Sequence, residues 1–104
     1  MDRGEVWWAD LPAPVGRRPV LILTRAAVVA RRTQLVVAQV TRTVHHLASE
    51  VDVGPGDGMP RDCVVNCDVL LTVPKRRLVR RITRLSDQKI SEVNSAIRFA
   101  LELP

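Results

Sequence analysis

The sequence has no tyrosine, one phenylalanine and two tryptophans. Its core must therefore be built from Val, Leu, Ile and Ala. It also lacks a long apolar run. The most apolar stretch, Val20 to Ala30, is broken by Arg25 and is too short to span a bilayer, which takes about 20 apolar residues. Glu5 and Asp10 interrupt the chain soon after Arg3, so no leader-type apolar segment forms there. Neither a secretory leader nor a membrane anchor is expected, and the cytoplasm is the expected compartment. Cysteine is scarce as well. If CVVNC (63–67) is a strand, Cys63 and Cys67 share a face about 13 Å apart, too far for a disulfide. A zinc site would need two further ligands, and His45 and His46, being adjacent, face opposite ways. Buried thiols in a reducing cytosol are expected. There is no P-loop, no HExxH and no GxSxG, which removes the phosphate-cradling, zincin and serine-hydrolase classes. No metal and no cofactor is expected.

Lysine is nearly missing too: fourteen of the 16 cations are arginine. Guanidinium suits planar, bidentate recognition of phosphate and carboxylate. The charge is also uneven. Residues 1–60 hold seven Arg/Lys against six Asp/Glu, residues 61–84 seven against two, and residues 85–104 two against three. The net +5 thus resides in the middle segment, and within it KRRLVRRITR (75–84) has six cations and no anion. A solvated face is the plain reading of such a run, and a polyanion partner the stronger one.

Strand composition marks EVWWADL (5–11), RPVLILT (18–24), LVVAQVT (35–41), EVDV (50–53) and CVVNCDVLLTV (63–73), with RPVLILT central. VRRITRL (79–85) suits a solvated edge strand. RAAVVARRT (25–33) suits a turn or two of helix, and GPGDGMP (54–60) a loop. The period then changes. SDQKISEVNSAIRFALEL (86–103) sets Ile90, Val93, Ile97 and Leu101 at helical spacing, with Ser86 or Asp87 as N-cap. The expectation is one domain over residues 1–104, α+β and mainly β: a small, bent sheet or barrel with a C-terminal amphipathic helix.

Arg, Thr, His and isolated carboxylates suit cleavage of RNA by its own 2′-hydroxyl, where the substrate brings the nucleophile and the protein stabilises the phosphorane charge. Arg18 sits at the mouth of an apolar strand, held by Pro19. RGEVWWADLP, GRRPVLILT, VVAQVT, VVNCD and the closing helix resemble, in that order, the MazF/PemK (Kid-like) family of toxin endoribonucleases. The resemblance implies an SH3-like (CcdB/Kid-type) barrel and a homodimer. It implies metal-independent, sequence-selective cleavage of single-stranded RNA to 2′,3′-cyclic phosphate and 5′-hydroxyl ends, and a cognate acidic antitoxin.

By position the resemblance implies Arg18 as the essential arginine, Thr41 as the essential hydroxyl and Asp68 as a base or substrate ligand. Arg17, Thr43, Asn66, Arg76, Arg77, Arg80 and Arg81 are the RNA-binding candidates. Some members carry an arginine, proposed as general acid, where this chain has Asn66, and the loop 12–17 is short. Loss of that arginine puts more weight on Arg18 and leaves the general acid and base unassigned, and in many relatives a longer loop carries substrate and antitoxin contacts. His45 and His46 follow Thr41 in a connecting loop, but the family chemistry does not use a histidine there. Of Trp7 and Trp8, one must face the core and one outward, where it can stack on a base or meet a second subunit. Two rival functions share the fold: a non-catalytic SH3-like nucleic-acid-binding module, and a CcdB-like gyrase poison. The latter acts through the end of its C-terminal helix, and here that helix ends FALELP without a polar tip.

Overall fold

The computed structural model describes residues 1–104. Six strands, β1 (Glu5–Asp10), β2 (Arg17–Ile22), β3 (Gln34–Thr41), β4 (Glu50–Val53), β5 (Cys63–Pro74) and β6 (Leu78–Arg84), form one antiparallel sheet in the order β4-β5-β3-β2-β1-β6. A short helix α1 (Ala26–Val29) follows β2, and α2 (Asp87–Ala100) closes the chain. The sheet curls into a half-barrel, with β4 and β6 as its two edges.

Alternation explains why both faces can be buried. In β2, Leu21 points into one core and Val20 and Ile22 into another, and all three are fully buried. The first core gathers Val6, Leu21, Ala38, Val40, Val51, Val53, Val65 and Cys67, and α2 covers it with Val93 and Ala96. The second gathers Ala9, Leu11, Leu35, Val37, Val73 and Leu78, with Val29 of α1 packed among them. The inner half of β2, residues 20–22, is therefore apolar throughout, as a strand buried on both faces must be.

The curl has a local cause. In the β3–β5 ladder Ala38 faces Leu70, yet the next residue, Gln39, faces Asn66. Cys67, Asp68 and Val69 have no opposite number, so β5 bulges and bends there. One strand can then send Val65 and Cys67 into the first core and Val73 into the second.

Ser86 caps α2 by accepting from the Lys89 amide at 3.1 Å. The helix ends at Ala100, three residues short of the expected segment 86–103, and Glu102 then turns into the left-handed region at φ 58. Leu101, expected on the buried stripe, is instead half exposed, at 51%. Arg3 ties three parts together: its Nε donates to the Leu23 carbonyl at 3.1 Å and its Nη2 to Asn94 Oδ1 of α2 at 2.8 Å.

Candidate RNA-binding cavity

The β2–β3 ladder pairs Ile22 with Val37, Leu21 with Ala38 and Val20 with Gln39. The ladder ends there, and Arg18 and Thr41 lie two residues beyond it on their own strands, where both line one cavity. Trp8 of β1 lies opposite Pro19, and Ala9 opposite Arg18. On the other side Thr41 faces Val64. These strand ends, together with the loop 54–62, surround a cavity of about 720 Å³. Arg17, Arg18 and Pro19 line it from β2, and Val40 and Thr41 with the following Arg42 and Thr43 from β3. Met59, Pro60 and Arg61 close it from the loop, Trp8 from β1 and Cys63 from β5. Four arginines thus contribute to the lining, and no carboxylate does.

The four are not equivalent. Arg17 Nε donates to Asp10 Oδ1 at 2.8 Å and its Nη2 reaches Oδ2 at 3.4 Å. That hydrogen bond and the carboxylate charge hold the Arg17 proton even more firmly than usual. Arg18, half-buried, makes no ion pair and no side-chain hydrogen bond, and neither do Arg42 and Arg61. Cross-strand neighbours at adjacent positions therefore divide the work: Asp10 opposite Arg17 neutralises it, while Ala9 opposite Arg18 offers it nothing. The Thr41 hydroxyl oxygen accepts from the Thr43 amide at 3.2 Å, which leaves its proton free to donate. Cys63 donates to the Arg61 carbonyl at 3.4 Å. Burial, helped by the charges of Asp62 and Asp57, pushes the Cys63 thiol up.

The remaining candidates lie elsewhere. Asp68, on the β5 bulge, accepts from the buried Ser49 hydroxyl, and its amide donates to Asn66 Oδ1 at 2.9 Å. Neither Asp68 nor Asn66 lines the cavity, and nor do His45 and His46. His45 is engaged through its amide, which donates to Glu50 at 3.0 Å. Arg76, Arg77, Arg80 and Arg81 also lie off the cavity, around the β6 edge.

The run 75–84, anion-free in sequence, acquires anions in space. Pairing of β6 with β1 brings Arg81 to 3.7 Å from Glu5 and Arg84 to 3.2 Å from Asp2. Bonding to the Arg3 amide, then to Arg84, holds the Asp2 carboxyl below its ordinary range. Arg77 Nη1 lies 3.5 Å from the Asp10 carbonyl. Lys75, Arg76, Arg77 and Arg80 are left without an acidic partner. Of the tryptophans, Trp7 bonds Glu5 Oε1 at 2.9 Å and packs against the second core, and Trp8 is the one on the cavity wall.

Sequence reasoning did not single out Arg42 and Arg61. Arg42 directly follows Thr41, a signal that was available. Arg61 carried none, because the fold of the loop 54–62 alone brings it to the β2–β3 end. His, Cys, Asp and Glu nowhere gather in a group of three that could hold a metal ion. No helix is long and apolar enough to cross a membrane.

Residues 2–101 match the family described as "PemK-like, MazF-like toxin of type II toxin-antitoxin system". The chain is 42% identical over 101 residues to the probable endoribonuclease MazF5 of Mycobacterium tuberculosis, covering 96% of this chain and 92% of that protein. It is 41% identical over 86 residues to endoribonuclease MazF3 of the same species, covering 83% and 84%. Among solved structures, the M. tuberculosis toxin MazF-mt6 superposes with a TM-score of 0.89 at 37% identity, covering 96% of this chain and 98% of that one. A mycobacterial endoribonuclease in complex with its cognate antitoxin superposes at 0.88 with 27% identity, covering 100% and 97%. By sequence over almost its full length and by fold, this chain belongs to the PemK-like, MazF-like family of toxins of type II toxin–antitoxin systems.

Proposed function

We propose that residues 1–104 form one toxin domain that cleaves single-stranded RNA by metal-independent transesterification in the Arg18–Thr41 cavity. The observation that carries this reading is that the unpaired Arg18 and the Thr41 hydroxyl line one cavity, whose lining holds four arginines and no carboxylate. The substrate's 2′-oxygen attacks the adjacent phosphorus, the bond from phosphorus to O5′ breaks, and a 2′,3′-cyclic phosphate and a 5′-hydroxyl result. One proton leaves the 2′-oxygen and one arrives at O5′, so nothing is consumed. Negative charge grows on the non-bridging oxygens between these events. Arg18 neutralises it, and Thr41 donates its free O–H to one of those oxygens. A donor aimed at charge that develops only in the transition state is worth about 10²- to 10³-fold in rate.

The wall holds no His, Asp or Glu, so its contribution is electrostatic and positional. Asp68, bonded to Ser49 away from the wall, takes no proton-transfer step in this scheme. A divalent ion would find four guanidiniums and no oxygen-rich ligand set there. The active form is proposed to be a cytoplasmic homodimer, since both sheet edges are unpaired and Phe99, Leu101 and Leu103 are exposed. An acidic antitoxin restrains it, a partner whose charge suits the free cations Lys75, Arg76 and Arg80. End-group analysis after incubation with single-stranded RNA in excess EDTA tests the chemistry. Cyclic-phosphate and 5′-hydroxyl ends are expected. Chelator-sensitive cleavage, or 5′-phosphate ends, would contradict it.

A further inference from the structure

The cavity wall is one-sided in hydrogen-bond chemistry as well as in charge. The Trp8 indole N–H and the four guanidiniums donate and cannot accept. The hydroxyls of Thr41 and Thr43 can do either, and Thr41 already accepts from an amide. No Asp, Glu, Asn or Gln lines the cavity, so the two threonine hydroxyls are its only side-chain acceptors for an exocyclic amine, against four guanidiniums that only donate. The Arg61 carbonyl accepts from the Cys63 thiol through one of its two lone pairs. If Arg18 and Thr41 hold the phosphate and Asp10 holds Arg17, then Arg42 and Arg61, both unpaired, remain to meet whatever flanks that phosphate.

Bases differ in what they offer such a wall. Guanine presents O6 and N7, both acceptors, and uracil presents a carbonyl at O4. Adenine and cytosine carry an amine at the matching positions. An amine facing guanidiniums has no acceptor and is left unpaired in a partly closed site, which is the strongest ground for rejection that hydrogen bonding provides. Single-stranded RNA exposes these edges because its bases can be splayed out of the stack. Trp8, with Pro19, Met59 and Pro60 beside it, supplies apolar surface for the base face.

We infer that Arg42, Arg61 and Trp8 read a nucleobase flanking the scissile phosphate, and that they select a keto base, guanine or uracil, over the amino bases adenine and cytosine. The inference rests on the cavity being the RNA site, and its test separates the two ideas. Short RNAs that differ only in one base beside the cut position are measured twice: for cleavage, and for binding with a 2′-deoxy residue at the cut that blocks reaction.

Guanine or uracil should be favoured at least tenfold over adenine and cytosine in both assays, the size of one good base contact. Replacing guanine by 7-deazaguanine separates the two keto bases, since only bidentate reading of guanine needs N7. Arg42→Gln and Arg61→Gln each supply an acceptor, so one of them should bring adenine to within about threefold of the favoured base. Wild-type cleavage with no base preference at either flank, or with an amino base preferred, overturns the inference and leaves the nuclease reading standing. Binding that keeps the keto preference without any cleavage overturns the nuclease reading alone. Unchanged discrimination in both glutamine variants removes Arg42 and Arg61 as readers.

Discussion

Gly58 is the residue on which the cavity's loop wall turns, and Gly58→Ala should be destabilising out of proportion to its size. Gly58 sits at φ +88, a left-handed conformation that side chains rarely adopt. A Cβ there would also lie 2.8 Å from Thr83 Cβ, closer than real Cβ atoms come. Thr83 cannot simply swing aside, because its hydroxyl donates to the Asp57 carbonyl at 2.9 Å and holds the loop to β6. The left-handed backbone costs about 1–2 kcal/mol, and losing the Thr83 bond about 1 kcal/mol more. With relief of the clash the total comes to about 2–4 kcal/mol, a large share of a typical domain's stability of about 5–15 kcal/mol. Urea unfolding followed by the fluorescence of Trp7 and Trp8 measures it. Gly56→Ala is the control: nothing lies within 4 Å of its added Cβ, so it should stay within about 0.5 kcal/mol of wild type. Met59 and Pro60 line the cavity directly after Gly58, so cleavage should also fall under conditions where Gly58→Ala remains folded. A Gly58→Ala protein as stable as Gly56→Ala would refute the reasoning.

Two further outcomes follow from charge and burial. Burial, then the neighbouring Asp68 charge, pushes the Cys67 thiol from its ordinary 9.0 to about 11. The unfolded chain therefore loses that proton first as pH rises. Stability from this group is fully present below about pH 9 and is lost as pH climbs through 11, by about 2–3 kcal/mol at 1.36 kcal/mol per unit. Chemical denaturation at several alkaline pH values should show this slope in wild type and its loss in Cys67→Ala; equal slopes would contradict it. At the β6 edge, Arg76→Ala with Arg80→Ala should weaken RNA binding uniformly across sequences and flatten its salt dependence, because both cations are free of acidic partners. The cleavage rate at saturating RNA should hold, since neither residue lines the cavity; a fall of tenfold or more at saturation would place them in the site.

What could be read from sequence was local in origin. The change from a period of two to one of 3.6 at residue 86 announced α2, and Ser86 its cap. The all-apolar VLI of β2 announced a strand buried on both faces. The pairing of Arg18 with Thr41 came from a resemblance, and the fold places both in the lining of one cavity. The rest depended on contacts that no sequence window contains. The six cations of 75–84 appeared unopposed because Asp2 and Glu5 reach them only through the β1–β6 pairing. Arg17 stands among the RNA-binding candidates, and its partner Asp10 appears only once β1 and β2 are aligned. Arg61 joins the cavity through a loop whose path is set by Gly58 against Thr83. Leu101 keeps the helical spacing but lies beyond the point where the helix stops.

The central claim is that an unpaired Arg18, rather than the neighbouring Arg17, carries the cleavage chemistry with Thr41. Single-turnover cleavage of one RNA by wild type, Arg17→Ala, Arg18→Ala and Thr41→Ala tests it most directly. Arg18→Ala and Thr41→Ala should each slow the chemical step by about 10²-fold or more, with RNA affinity changed far less. Arg17→Ala should remain within a few-fold of wild type, because Asp10 already occupies that guanidinium. Equal losses from Arg17→Ala and Arg18→Ala, or an Arg18→Ala protein that cleaves at the wild-type rate, would contradict the account.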